Sequence, residues 1–502
     1  MSLNGCLIDY GNIGPGSFPN RYFVIRDVLL AVVMAGTWSA TCAAQDARFE
    51  LGLRLRQFER AFEQLDSPEF RQSTLPYLEQ AVQSFFRLRL GEAARSLDRA
   101  RAVSLPEEAR PAFLRAANLA VTPERTLYDS ATDRIHLVVS AAYGNADWAG
   151  VELSVSWSRL HDRQRQQPSP ALGSVAHAFV NGRGESIAIP TVDWDEGDYL
   201  LGIDTVVDDQ RIRLSERVVS LVNDLTPRLN RLVAARGSTF DGLSRTQKAS
   251  FDLNVSILED AAQGSRAETD YPTARLLAQC ERALTSFEQG SPFFGAPHTG
   301  EFWLRLVGKT WRMPARIYVP EQVNSDHPIP VVLALHGAGG SENMFFDGYG
   351  DGKVVRLASE RGWLVVSPRV GMGNAPFDEL IDVLEELYPI DRESIFVLGH
   401  SMGAGAAMGF TNQGQLKPRA VAALGGGGSV DRNGNLGSVQ FFVGAGSHDF
   451  GRSGAQRLAN SLERAQVAVQ YRTYSEIEHL VIVQVALDDV FEFFERHHRS
   501  GK

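Results

Sequence analysis

The feature that most restricts the fold of this chain is a serine flanked by glycines at residues 399–403, between an apolar run and a run of small residues. The apolar run at 394–398 has the composition of a buried strand, and alanines at 404, 406 and 407 open a helical segment. Such a tight turn leaves no room for side chains at Gly399 and Gly403, two positions either side of Ser401. It also lifts the Ser401 hydroxyl above the sheet at a helix N-terminus, where developing negative charge is favoured.

The C-terminal part of the chain, residues 298–502, alternates between apolar runs and amphipathic stretches after two strands that begin near Glu301. Near-continuous apolar runs lie at 331–335, 363–366, 395–398, 420–424 and 439–443. Such runs are typical of parallel strands that helices cover on both faces. We therefore predict an α/β layered domain.

A serine hydroxyl is a weak nucleophile unless a histidine oriented by a carboxylate removes its proton. We predict that His479 is this base, because it follows the strand at 469–474 late in the chain, after the acid. Asp449, just past a strand end, is the predicted acid, and Asp431 is the reserve; the alternative for Asp449 is a helix cap. His448, which also follows a strand, is a further candidate for the base. We expect His497 and His498 to lie at the surface. Glu478, next to His479 in sequence, is expected to point elsewhere.

A second glycine-rich segment, residues 336–340, follows the apolar run that ends at Leu335. Glycines there allow backbone N–H groups to face an oxyanion, so we predict an oxyanion hole formed by the amides of Ala338 and Met402. His336 is expected to brace the loop. The residues that either line an acyl pocket or belong to the core are Met344, Phe345, Phe346 and Tyr349.

Phosphate loops and metal sites are not indicated by the sequence. No G-x-G-x-x-G follows a strand, and Trp303 stands where a P-loop ending in Gly308-Lys309-Thr310 requires glycine. No metal-ligand spacing such as H-E-x-x-H occurs either. We therefore expect neither a metal nor an organic cofactor.

Four segments together resemble the α/β-hydrolase superfamily, at residues 335–341, 399–403, 443–449 and 478–479. The likeness extends over about residues 301–498 and is to esterases and predicted peptidases of the dienelactone hydrolase, polyhydroxybutyrate depolymerase-like and prolyl-oligopeptidase-like kinds. The resemblance implies Ser401 as nucleophile, Asp449 as acid and His479 as base. One departure is that Glu478 precedes the base, where these relatives usually have glycine.

The segment in which many such relatives carry a lid is short in this chain. Only the glycine-rich residues 425–437 separate the strand ending at Leu424 from the next strand. This predicts an open site, or one that the N-terminal domains cover. An open site suits a bulky or polymeric ester better than a long free lipid.

The middle of the chain changes from helical to strand periodicity and back. Residues 45–120 have apolar residues at three- and four-residue steps, and their arginine-rich faces are expected to be solvated rather than bound to nucleic acid. Residues 121–224 contain five short runs of period two and predict a small immunoglobulin-like β-sandwich, expected to act as a spacer or shield. Residues 225–297 predict a second helical region and a linker at 290–297. The two helical regions flank the strands and are candidates for one bundle.

Residues 1–44 have the pattern of a secretory signal peptide. Arg21 and Arg26 precede an apolar run at 28–35, and small residues follow up to Ala44. The run is too short to span a bilayer. We therefore expect cleavage after Ala44, export to the periplasm or the cell exterior, and no stable membrane insertion; the alternative is an N-terminal helix.

Composition narrows the function classes further. The chain is 44% hydrophobic and 22% charged, which excludes a mostly disordered chain and a polytopic membrane protein. Its net charge of −10 argues against nucleic acid as the main ligand, and three cysteines are too few for a disulfide framework or thiolate zinc site. The leading hypothesis is an exported serine hydrolase that cleaves carboxylic esters. The alternatives are a serine peptidase with the same triad and a non-catalytic binding protein; the acyl and alcohol groups and the oligomeric state do not follow from the sequence.

Overall fold

The computed structural model describes residues 42–498 apart from residues 66, 146–148, 161–169, 179–185, 208, 239, 266–268, 324–327, 372–374 and 432. Residues 1–41, which hold most of the predicted signal peptide, lie outside the described residues, and its last three positions fall in the first turn of a helix. Within the described ranges, no helix combines the length and apolar character needed to cross a membrane.

Four helices open the described chain, where the sequence predicts a helical region. They are α1 (Cys42–Gln64), α2 (Pro68–Phe86), α3 (Leu90–Ala102) and α4 (Arg110–Ala117). Helix α2 begins at Pro68 because the Ser67 side chain accepts a hydrogen bond of 3.1 Å from the Phe70 amide. Its tight connection to α3 passes through Leu88, which has a φ of 58°.

Among the described residues, eight strands then form two sheets. They are β1 (Leu119–Pro123), β2 (Leu127–Asp129), β3 (Arg134–Ala141), β4 (Glu152–Arg159), β5 (Gly173–Ala178), β6 (Ser186–Pro190), β7 (Gly197–Val207) and β8 (Gln210–Val222). The sheets have the orders β1-β3-β6 and β2-β8-β7-β4-β5, and Leu137 of one shares a buried core with Leu201 of the other. The five predicted strands are confirmed, whereas β1, β2 and β5 were not predicted. Because β2 pairs with β8 in parallel, the sheets are not purely antiparallel, and the immunoglobulin-like arrangement stays a prediction.

The second helical region contains α5 (Leu225–Ala235), α6 (Arg245–Gln263) and α7 (Thr273–Glu288). The predicted linker after it is packed against the protein. Phe293 and Phe294 are 1% and 2% exposed, and their amides donate to Gln247 Oε1 at 3.1 and 2.9 Å. Residues 290–297 therefore form a fixed connection rather than a free spacer.

The rest of the chain is built on one eight-stranded sheet with the order β16-β15-β14-β13-β11-β12-β10-β9. Its strands are β9 (Gly300–Val307), β10 (Arg312–Val319), β11 (Ile329–Leu335), β12 (Leu364–Pro368), β13 (Ile390–His400), β14 (Ala420–Leu424), β15 (Gln440–Gly446) and β16 (Val469–Tyr474). The helices are α8 (Met344–Asp347), α9 (Tyr349–Ser359), α10 (Phe377–Glu385), α11 (Met402–Gln413), α12 (Arg452–Arg464) and α13 (Ile482–His497). Strand β10 is antiparallel to both its neighbours, and the six strands β11 to β16 pair in parallel. The α/β layered domain is confirmed.

The two helical regions lie on opposite sides of this large sheet, so the expectation of one bundle is wrong. Side chains alternate along a strand, and Leu333 and Val332 accordingly point into different cores. Helices α1 to α3 pack on the Val332 side through residues such as Phe58, whereas α6 packs on the Leu333 side through Phe251. Each helical region thus joins the core on one side of the sheet, α6 by packing against β9 and α1 by packing against α9.

Candidate active site

Ser401 occupies a strained turn between β13 and α11. Its φ of 55° and ψ of −113° are rare for a residue with a side chain, and its amide donates a 2.9 Å hydrogen bond to Leu424 O. A Cβ on Gly399 would lie 2.2 Å from Gly403 O, and a Cβ on Gly403 would lie 2.0 Å from Leu335 O. Glycine is therefore required at both positions, as the sequence pattern predicts.

His479 and Asp449 form a buried pair. His479 Nδ1 lies 2.7 Å from Asp449 Oδ1, and each residue is 5% exposed. The Gly451 amide donates to the same oxygen at 2.6 Å, which fixes the carboxylate. Since Asp449 occupies Nδ1, Nε2 is the ring nitrogen left for proton transfer.

The C-terminal ends of three neighbouring strands bring this pair to Ser401. His479 follows β16, Asp449 follows β15, and Gly425 follows β14. A Cβ on Gly425 would lie 2.7 Å from Asp449 Oδ2 and 3.1 Å from His479 Nδ1, so the pair fits only above a glycine. Ser401 and His479 line one cavity.

The other candidate residues lie elsewhere. Asp431 is exposed and its Oδ1 accepts a 2.9 Å hydrogen bond from the Asn433 amide. His448 Nδ1 lies 3.6 Å from the carboxylate of Glu79. Glu478 Oε2 accepts a 2.7 Å hydrogen bond from the Leu480 amide, and burial raises the pKa of Glu478 to about 7. Of the two predicted acids, only Asp449 meets His479.

The residues predicted to hold the oxyanion also lie beside Ser401. Met402 is the first residue of α11, a position at which the amide has no acceptor within the helix, and Ala338 lines the same cavity as Ser401. His336 is buried: its Nε2 accepts from the Val370 amide at 3.1 Å and its Nδ1 donates to Gly337 O at 2.8 Å. These two contacts brace the loop, as the sequence predicts.

A chain of hydrogen bonds joins the glycine-rich loop at 336–340 to the loop that carries His479. The Gly337 amide donates to the Tyr349 hydroxyl, which donates to His400 Nδ1 at 2.7 Å. His400 Nε2 in turn donates to His479 O at 3.2 Å. Burial, with the neighbouring His479, lowers the pKa of His400 well below its usual value, so this ring stays neutral and keeps one donor and one acceptor. The sequence alone indicates no such function for Tyr349 or His400, and their only sequence signal is proximity to the two glycine-rich turns.

Helices α1 and α2 cover the site. Arg48 Nη2 donates to Gly339 O at 3.3 Å, and a Cβ on Gly339 would lie 2.4 Å from Phe85 Cζ. The Phe86 ring packs edge-on against Phe450 at 5.5 Å, and the Phe450 ring lies 4.0 Å from that of His479, centroid to centroid. Of the two expectations, an open site and one covered by N-terminal residues, the second is confirmed.

The cover forms one wall of a partly open cavity of ≈ 190 Å³ that Ser401 also lines. Met344 and Tyr349 line this cavity, which agrees with the expectation that they line a pocket. Phe345 and Phe346, which are 0% and 1% exposed, belong to the core instead.

Glu59 connects α1 to the Tyr349 segment. It is fully buried, and its Oε2 would lie 3.7 Å from a Cβ on Gly348. The four residues 349–352 all have left-handed backbone angles, and the amides of Tyr349 and Gly350 face the Glu59 carboxyl. Burial raises the pKa of Glu59 to about 8 against the opposing effect of these amides, so its carboxyl is mostly neutral at pH 7.

Metal chemistry has no evident site in the described part of the chain. Its residues include no group of three or more His, Cys, Asp or Glu side chains arranged to hold a metal ion.

Comparison with known proteins gives a likeness to solved hydrolase structures, while no protein-family model matches this chain. An S-formylglutathione hydrolase from Staphylococcus aureus is 19% identical with a TM-score of 0.33, and the match covers 39% of this chain and 99% of that enzyme. A ferulic acid esterase is 19% identical with a TM-score of 0.34, covering 40% of this chain and 99% of its own. The feruloyl esterase module from Clostridium thermocellum is 14% identical with a TM-score of 0.36, covering 41% and 93%. These structural neighbours are esterases and serine hydrolases, but at such values the likeness does not identify the activity of this chain.

Proposed function

We propose that the protein is a serine hydrolase that cleaves carboxylic esters. The observation that carries this proposal is the buried 2.7 Å contact between His479 Nδ1 and Asp449 Oδ1, on the same cavity as the strained Ser401 turn. This placement supports the assignment of Ser401 as nucleophile, His479 as base and Asp449 as acid, the set of groups that acyl transfer requires.

In the proposed reaction, Ser401 Oγ attacks the ester carbonyl while His479 Nε2 takes the serine proton. The Asp449 carboxylate stabilises the resulting imidazolium, because both groups are buried and water screens their charges weakly. The amides of Ala338 and Met402 donate to the oxyanion of the tetrahedral intermediate. When the intermediate collapses, the bond to the alcohol breaks and the alcohol leaves with the proton from His479.

The second half of the reaction regenerates the enzyme. Water gives a proton to His479 and attacks the acyl-Ser401 carbonyl, and the new intermediate releases a carboxylic acid as Ser401 recovers its proton. The strained backbone of Ser401 supports this function, since the cost of such a conformation is typical of active sites.

A fluorophosphonate probe tests the nucleophile. We expect it to label the wild type, and we expect Ser401→Ala to lose labelling and ester hydrolysis while its circular dichroism is unchanged. Ser429→Ala, at an exposed serine, is the matched control and should be labelled like the wild type. Equal labelling of both variants would overturn the Ser401 assignment, and an unlabelled wild type would favour the binding-protein class.

A panel of p-nitrophenyl esters, peptide amides and acylated glycans tests the substrate class. The cover of α1 and α2 favours a compact ester over the bulky or polymeric ester that an open site would suit, because a polymer has to pass beneath these helices. Faster cleavage of peptide amides than of activated esters would favour a peptidase instead.

Two further proposals concern the rest of the chain. Export is supported by the basic, apolar and small-residue order of residues 1–44. A function of the two smaller sheets as an immunoglobulin-like spacer or shield is supported by their separate core.

A further inference from the structure

The cavity above Ser401 presents apolar surface from three N-terminal helices. Its apolar lining from these helices is Leu51 and Leu55 of α1, Ala81, Val82, Phe85 and Phe86 of α2, and Ala93 and Leu97 of α3. Leu51, Leu55 and Phe85 are only partly buried, so part of their apolar surface faces the open space. A concave surface of this kind favours an apolar ligand group.

The charged side chains of the lining already have protein groups near them. Arg48 donates to Gly339 O, and Asp347 accepts from Arg316 Nη1 at 2.9 Å and from Thr269 Oγ1 at 2.8 Å. Arg56 lies close enough to Glu59 for its positive charge to lower the pKa of the Glu59 carboxyl. The lining therefore does not require a charged ligand group as a partner.

Gly52 leaves part of the cavity empty. It lies in the interior of α1 and lines the cavity, although glycine destabilises a helix interior relative to alanine. A Cβ added there would have Arg56 Nη1, 3.7 Å away, as its nearest neighbour among the described residues. A larger side chain at this position would therefore extend into free space instead of into the core.

The size of the cavity limits the group that it can hold. An apolar cavity of about 150 Å³ is large enough to bind benzene. The present cavity of ≈ 190 Å³ is somewhat larger, so it has room for a chain of about six to eight carbons.

We propose that this cavity binds the acyl group of the substrate and that helices α1 to α3 select an apolar, medium-length acyl chain. This inference rests on the proposed esterase function. The acyl group is bonded to Ser401 Oγ from the attack in the first half-reaction until water releases it in the second, whereas the alcohol departs in the first. A covered cavity that reaches Ser401 therefore suits the acyl group.

Substitutions at Gly52 test the inference, because they change the free volume without touching the catalytic residues. Gly52→Phe should lower kcat/KM for p-nitrophenyl octanoate by about tenfold, as expected for the loss of roughly two buried methylene groups. The same variant should hydrolyse p-nitrophenyl acetate within about twofold of the wild type, because an acetyl group fills only a small part of the cavity. Gly52→Ala is the matched control, which changes the helix propensity but fills little space, and both rates should stay within about twofold. Equal losses on both esters, or no loss on octanoate, would overturn the inference.

A second ester series separates the acyl group from the alcohol. With alkyl acetates of increasing alcohol length, kcat/KM should change with length in the same way for the wild type and for Gly52→Phe. If Gly52→Phe instead selects against long alcohols, the cavity holds the alcohol and the acyl assignment is wrong.

Binding of the product separates this inference from the proposed function. Octanoate should raise the Tm of the Ser401→Ala protein, and this rise should be lost when Gly52→Phe is added. If the wild type fails to react with fluorophosphonate but octanoate binding depends on Gly52, the esterase proposal fails and the apolar site stands. If labelling succeeds but octanoate does not bind, the cavity assignment fails alone.

Discussion

Replacement of Asp449 by Asn is the sharpest test of the proposed triad. The carboxylate lies 2.7 Å from His479 Nδ1, and both residues are 5% exposed. With an effective dielectric constant of about 20 and charges about 4 Å apart, the carboxylate stabilises the imidazolium by about 4 kcal/mol. An Asn amide can also donate to Nδ1 and hold the wrong tautomer of His479. We therefore expect kcat to fall by about four orders of magnitude, as in other triads.

Asp431→Asn is the matched control. Asp431 is exposed and its carboxylate accepts from the Asn433 amide, so solvent screens its charge. Its replacement should change kcat by less than about tenfold, because a screened charge away from the base contributes little.

The assay compares kcat for p-nitrophenyl butyrate in the wild type and both variants, with Tm measured to show that each variant is folded. Asp449→Asn within tenfold of the wild type would refute the acid assignment. A large loss in Asp431→Asn alone would transfer the assignment to that residue, and no loss in either variant would contradict the triad itself.

Three further predictions follow from the site and the N-terminus. Tyr349→Phe leaves the Gly337 amide and His400 Nδ1 buried without their partner. The free energy of unfolding in urea should therefore fall by about 1–3 kcal/mol, and kcat should fall with it. Unchanged values would contradict the bridging function. Because the folded state raises the pKa of Glu59 from 4.5 to about 8, the folded state binds more protons than the unfolded state between these values. The stability that Glu59 contributes should therefore be fully present below about pH 4.5. Between this pH and about pH 8, the free energy of unfolding in urea should decline by at most about 1.4 kcal/mol per pH unit. Glu59→Gln should lack this decline. N-terminal sequencing of natively expressed protein should begin near Gln45, whereas full-length protein starting at Met1 in the cytoplasm would refute export.

The Ser401 turn and the His479–Asp449 pair follow from the sequence because their constraints are local or topological. The clashes that require Gly399 and Gly403 involve neighbouring residues and the adjacent strand end. His479 and Asp449 were predictable because parallel strands place their C-terminal ends at one edge of the sheet, whatever the distance along the chain. Exposure then distinguishes Asp449 from Asp431, as their polar and apolar sequence neighbours indicate.

The cover of the site and the Tyr349 segment could not be predicted in the same way. Helical periodicity shows that α1 has an apolar side, but it does not show which surface that side packs against. The contact of Phe85 with Gly339 joins residues far apart in sequence. Tyr349 has a φ of 49°, a backbone angle that nothing in its own residue type indicates.

The packing of α1 against α13 has a consequence for the order in which the chain folds. Gln484 Nε2 donates a 3.0 Å hydrogen bond to Glu59 O across a separation of 425 residues. During synthesis, α1 to α3 emerge long before α9 and α13, which share their buried core. The N-terminal helices therefore remain without their native partners until almost the whole chain is made, and this delay, typical of high contact order, slows folding and exposes apolar surface to aggregation.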